Sequence, residues 1–67
     1  MPPVEWQLRR RIGEACRRLE RTDEAVTSIG FRLGFSSSQY FATSFRRVMG
    51  LSPTAFRTAA RAGLERF

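Results

Sequence analysis

A chain of 67 residues has room for one domain, and at that length the buried surface is modest and the stability marginal. One cysteine and no histidine exclude an internal disulfide and any Cys/His metal cluster within one chain, a usage that suits a reducing cytoplasm. Twelve basic residues, all arginine, against six acids leave a net charge of +6, which favours a polyanionic partner, with DNA, RNA and an anionic membrane all open at this level.

Pro2-Pro3 is an extended lead-in, and the pattern after it predicts a helix over residues 3–21. Val4, Leu8, Ile12, Ala15, Cys16 and Leu19 fall on one stripe at about 100° per residue. Gly13 in its middle costs about 1 kcal/mol against alanine. Glu14 can pair with Arg10, Arg17 or Arg18 at three- or four-residue spacing. Cys16 reads as an inert core thiol, and Trp6 lies off the stripe. Thr22-Asp23-Glu24 connects to the next helix, whose positive end its acids suit. That helix covers residues 25–33, with Val26, Ile29 and Leu33 inward, Gly30 small enough for a close helix crossing, and Phe31 outward.

Gly34-Phe35-Ser36-Ser37 makes a tight turn: the glycine ends one helix at positive φ, and Ser36 or Ser37 caps the next. A helix follows over residues 38–49, stopped by Gly50. Tyr40, Phe41, Phe45 and Val48 form its inner face and can bury three aromatic rings. Gln39, Ala42, Thr43, Arg46 and Arg47 form the opposite face. Ser52-Pro53 opens a last helix over residues 53–65, with serine as cap and proline at the first helical position. Phe56 points inward with Ala59, Ala60 and Leu64, while Arg57, Arg61 and Arg66 project.

A helix, a tight turn and a second helix with a small, polar and then cationic outer face is the plan of a helix-turn-helix recognition unit. The spacing of Ile29, Gly30, Gly34-Phe35, Tyr40-Phe41, Phe45-Arg46-Arg47, Gly50, Ser52-Pro53 and Phe56-Arg57 resembles the second helix-turn-helix of the AraC/XylS family of bacterial transcription regulators. Pro3, Trp6, Arg11, Ala15 and Leu19 resemble the linker helix that joins the two units of that family. The resemblance runs from Pro3 to about Arg57. It implies an all-α fold, a small homeodomain-like helix-turn-helix domain of three to four helices. It also implies sequence-specific binding of double-stranded DNA, with helix 38–49 in the major groove. A first unit has no room in the chain, so a fragment, a truncated product and a stand-alone half-domain all fit, and Trp6 is expected to lack the neighbour that a first unit would supply. Gln7 and Arg18 stand where the family is usually apolar, and the flank they share with Arg11 and Glu14 is expected to be solvated. Gly30 stands where the family usually has alanine, another residue small enough for a close crossing.

By the same resemblance, Ser38, Gln39, Ala42 and Thr43 face base edges. Gln39 can bond adenine N6 and N7 as a bidentate pair; the Ser38 and Thr43 hydroxyls donate or accept; Ala42 or the Thr43 methyl packs on a thymine methyl. Thr43 stands where many members carry arginine, which removes the strongest guanine contact. Ser37, Arg46 and Arg47 are candidate phosphate ligands, the alternative for the two arginines being that they only solvate the surface and complement the helix C-terminus, and Arg57 is a further candidate with a structural role as its alternative. About four phosphate contacts give a log–log salt slope of about −4.

The residues show no catalytic constellation, no Gly-rich phosphate loop and no call for a cofactor or a metal. No apolar run reaches membrane-spanning length, and Met1-Pro2-Pro3 lacks the basic and hydrophobic regions of a signal peptide. Two other readings stand beside the DNA-binding one. The chain could be a partial half-domain that binds DNA without sequence preference, or one that docks through Trp6 and Phe31 on RNA polymerase, a partner regulator or a missing first unit. A cationic membrane-surface peptide fits poorly, because Gly-Phe and Ser-Pro interrupt any long amphipathic helix.

Overall fold

The structure, a computed structural model, describes residues 3–65. Four helices follow in order: α1 (Pro3–Arg21), α2 (Val26–Arg32), α3 (Ser38–Met49) and α4 (Pro53–Glu65). The chemistry at each boundary explains where it falls. Ser37, extended at φ −151°, caps α3 by accepting a hydrogen bond from the Tyr40 amide at 3.0 Å. Gly50 ends α3 in the left-handed conformation at φ 83°, and Gly34 makes the α2–α3 turn at φ 94°. Ser52 accepts from the Ala55 amide at 3.2 Å and starts α4. α2 has no such device: Ala25 is its N-cap, without a side-chain hydrogen bond. The acids before it serve tertiary ion pairs instead of capping it. Glu24 meets Arg18 at 3.2 Å and Arg32 at 3.3 Å, and Asp23 meets Arg61 at 2.8 Å.

α1 is the floor of the domain, and the other three helices all pack on it. Leu8, Ile12, Ala15 and Leu19 are buried, with Cys16 half-buried at the edge of the same cluster. Burial raises the Cys16 thiol above its ordinary range, which keeps it protonated and unreactive. Val4 departs from the predicted stripe and is 75% exposed. It has the right angle on the helix but lies one turn beyond Leu8, past the end of the core. Arg18 does not go to solvent with Gln7 and Arg11. Its Nη1 is held by Glu24, while Nε lies 3.5 Å from Glu14 in an ion pair without hydrogen-bond geometry. Arg17 donates to Glu14 at 2.6 Å and holds that carboxyl below its ordinary range.

α2 crosses α3 where Gly30 meets Phe41. A Cβ on residue 30 would stand 2.8 Å from the Phe41 Cγ and 3.0 Å from its Cβ. The crossing is therefore closer than alanine allows without a shift of Phe41. Gly30→Ala adds about 1 kcal/mol of helix propensity, but overpacking costs about 1–3 kcal/mol. The ring atoms nearest the backbone cannot swing aside, so the overpacking wins. A urea titration is expected to show net destabilisation of up to about 2 kcal/mol.

Candidate nucleic-acid interface

A row of rings holds α3 in place. Phe35 from the turn packs against Phe41 at 5.0 Å between centroids, Phe41 against Phe45 at 6.0 Å, and Phe45 against Phe56 of α4 at 5.5 Å. These are tilted or edge-to-face contacts, the arrangement the ring quadrupoles favour. Phe41 and Phe45 are fully buried. Tyr40 is not the third buried ring of this face: it is 50% exposed and touches Phe35 edge-on at 5.5 Å. Its position is about 90° from the middle of the buried stripe, which puts it on the flank. Ser44, unassigned by the pattern, lies inside the stripe and is 4% exposed.

With that face fixed inward, the opposite face of α3 is fixed outward. Ser38, Gln39, Thr43, Arg46 and Arg47 are all exposed, and Ala42 is half-buried among them. The structure thus brings the four candidate base-contacting residues onto one surface, with the two arginines at its C-terminal end. Ser37 adjoins this surface. Its oxygen accepts from the Tyr40 amide, and its hydroxyl proton remains available to donate to an acceptor such as phosphate. Beside Arg46, the α3–α4 corner forms an open depression with Gly50, Leu51, Ser52 and Ala55. Arg47 extends toward α1, where its Nη2 lies 3.6 Å from Glu5.

Arg57 is placed elsewhere. Its Nε donates to the Leu19 carbonyl at 2.9 Å and its Nη2 to the Thr22 carbonyl at 3.2 Å. Arg61 joins it, donating to the same Thr22 carbonyl at 2.7 Å and to Asp23 at 2.8 Å. Both residues are half-buried, whereas the pattern had them projecting. Of the two roles open to Arg57, this geometry is the structural one. The inward side of α4 is turned toward Pro53, Phe56, Arg57 and Ala60, which leaves Ala59 exposed. The side chain of Leu64 and all of Arg66 lie outside the described residues.

The two arginines solve a problem that α1 creates. A helix end leaves its last carbonyls without intrahelical partners, and α1 has no glycine after it to fold the chain back. Thr22 takes one of these carbonyls, bonding Arg18 O through its amide at 2.9 Å and its hydroxyl at 2.7 Å. Arg57 takes the next. The missing glycine is a sequence signal that donors must come from elsewhere, though not from where.

Among the described residues, no group of His, Cys, Asp and Glu is placed to hold a metal ion, and no helix is long and apolar enough to cross a membrane. A family model described as a helix-turn-helix domain matches residues 1–59. The MmsAB operon regulatory protein of Pseudomonas aeruginosa is 39% identical over 61 residues, 91% of this chain and 20% of that protein. The transcriptional activator RhaS of Pectobacterium carotovorum is 38% identical over 60 residues, 90% of this chain and 22% of that protein. The activator AarP of Providencia stuartii is 40% identical over 57 residues, 85% and 42% of the two chains. The chain thus spans about a fifth of the length of the first two relatives. Among solved structures, the DNA-binding domain of the global transcriptional factor AdpA, crystallised with a target DNA, superposes with a TM-score of 0.88. It shares 39% identity, with 92% of this chain and 56% of that one covered.

Fold, exposed helix face and relatives together define a helix-turn-helix module of the DNA-binding transcription regulators. The chain belongs to the AraC/XylS family of these regulators.

Proposed function

We propose that this domain binds duplex DNA by seating α3 in the major groove, with Ser38, Gln39, Ala42 and Thr43 toward the bases and Ser37, Arg46 and Arg47 on the phosphates. The observation that carries this reading is the division of α3. One face is locked by buried Phe41 and Phe45, and the other is an exposed, acid-free surface of small, polar and cationic residues. The likeness to a domain crystallised on its target DNA supports it. Base readout rests on Gln39, whose amide matches the donor–acceptor pair of adenine, and on short hydroxyls that read either partner. Without an arginine at position 43, discrimination depends on few contacts. Affinity of a single unit is correspondingly weak, since no second helix raises the effective concentration at the site. Family membership points to a role in transcription regulation, a role that calls for a cytoplasmic location.

Arg57 leaves the phosphate set for the reason given above, and of the three residues that remain only Arg46 and Arg47 carry charge, so the salt slope falls to about −2. Selection from a random duplex pool at low salt tests the reading. An enriched half-site is expected, and Gln39→Ala is expected to blur it at one base pair, at a cost of about 1–3 kcal/mol. Salt-sensitive binding with no enriched sequence would reduce the domain to a phosphate clamp.

A second reading draws on exposed apolar residues away from this face. Phe31 is 59% exposed, and Trp6 is 46% exposed with the Arg10 guanidinium 4.8 Å above its ring. A protein contact there, with RNA polymerase, a partner regulator or a first helix-turn-helix unit, requires Trp6→Ala to weaken function more than Gln39→Ala.

A further inference from the structure

We infer that Glu5 is a built-in competitor for the phosphate-binding end of α3: its carboxylate holds Arg47 in the free protein and yields it to a DNA phosphate on binding. The inference rests on the reading of Arg47 as a phosphate ligand and adds a residue of α1 to the determinants of affinity.

Glu5 stands between two arginines. Its Oε1 lies 3.5 Å from Arg9 Nε, one turn along α1, and its Oε2 lies 3.6 Å from Arg47 Nη2 on α3. The Arg47 side chain is 63% exposed and that of Glu5 44%, so the pair is held by little and exchanges at little cost. A guanidinium offers its N–H fork to a carboxylate or a phosphate in the same geometry. At 3.6 Å, without a hydrogen bond, Glu5 is a weak partner that a phosphate reaching Arg47 can displace. When Arg47 leaves, Arg9 remains beside Glu5, so the carboxylate is not stranded without a counter-charge.

Competition differs from general repulsion in its dependence on Arg47. Binding of a short mixed-sequence duplex to the whole domain, followed by fluorescence anisotropy at about 50 mM salt, separates the two. Glu5→Gln keeps the shape of the side chain and frees Arg47 from an exposed ion pair, so it is expected to raise affinity about two- to threefold, a gain that shrinks as salt is added. In an Arg47→Gln background the same substitution is expected to give no gain. Glu20→Gln makes the same charge change about 22 Å further along α1, beyond the screening length, and is expected to leave affinity unchanged. Circular dichroism confirms that each variant is folded. An equal gain with and without Arg47 would overturn the inference in favour of plain repulsion. So would a loss of affinity in Glu5→Gln, which would make Glu5 an aid that orients Arg47. Either result would leave the DNA-binding reading standing. Failure of the unaltered domain to bind any duplex would instead remove that reading, and this inference with it.

Discussion

Phe41→Ala is expected to unfold the domain. Phe41 is fully buried and central: Phe35 packs on it from the turn, Phe45 from the next turn of α3, and the Gly30 backbone from α2. Truncating a buried phenylalanine costs about 3–5 kcal/mol. A core of this size rarely supplies more than about 3–5 kcal/mol in total, so the cost equals the reserve. Far-ultraviolet circular dichroism should show loss of most helical signal and no cooperative melt at room temperature. Tyr40→Ala, on the exposed flank of the same helix, should retain a cooperative transition. If Phe41→Ala melted cooperatively within a few degrees of the unaltered chain, the aromatic row would not be what holds α3. The consequence for function is direct, because the outward face of α3 is defined only while Phe41 and Phe45 fix its inward face.

Arg57→Ala is expected to lower stability by about 2 kcal/mol, the range for hydrogen bonds from a charged donor. The loss falls on the end of α1. Thr22 O keeps its bond from Arg61, whereas Leu19 O loses the Arg57 Nε donor that meets it at 2.9 Å. At a denaturant dependence of about 1 kcal/mol per molar, the urea midpoint should fall by about 2 M. Arg57→Lys should recover only part of this, because an ammonium cannot reach two carbonyls with a fixed fork. The same variant separates the two roles that the sequence left open. If Arg57 holds α1, stability falls while the salt slope of DNA binding by the folded protein stays near −2. If Arg57 were a phosphate ligand, stability would hold and the slope would weaken by about 1.

Together with the Glu5–Arg47 pair, these contacts give α1 more than a spacer's part. Its C-terminal end is held by α4 through Arg57 and Arg61, and its N-terminal end touches the cationic end of α3.

Much of the architecture is legible in the sequence because its causes are local. α3 and α4 begin and end where a serine cap, a left-handed glycine and a Ser-Pro pair put them, and each device acts within one turn of the chain. The two faces of α3 follow from helical periodicity, and the family from many residues at fixed spacing. The surface formed by Gln39, Thr43, Arg46 and Arg47 is thus legible from periodicity, and Ser38 joins it through the family resemblance. What the sequence could not decide depends on how each helix is rotated and how closely it is approached. A modest rotation puts Tyr40 on the rim and Ser44 inside, and turns Arg57 and Arg61 of α4 from projecting cations into a clasp on α1. Close approach makes Gly30 the better fit where alanine looked equivalent. Glu5 meets Arg47 only because the start of one helix is packed beside the end of another. Propensity, capping and periodicity act between neighbours in the chain. The partners of these residues lie on other helices, and only the packing of the folded core brings them together.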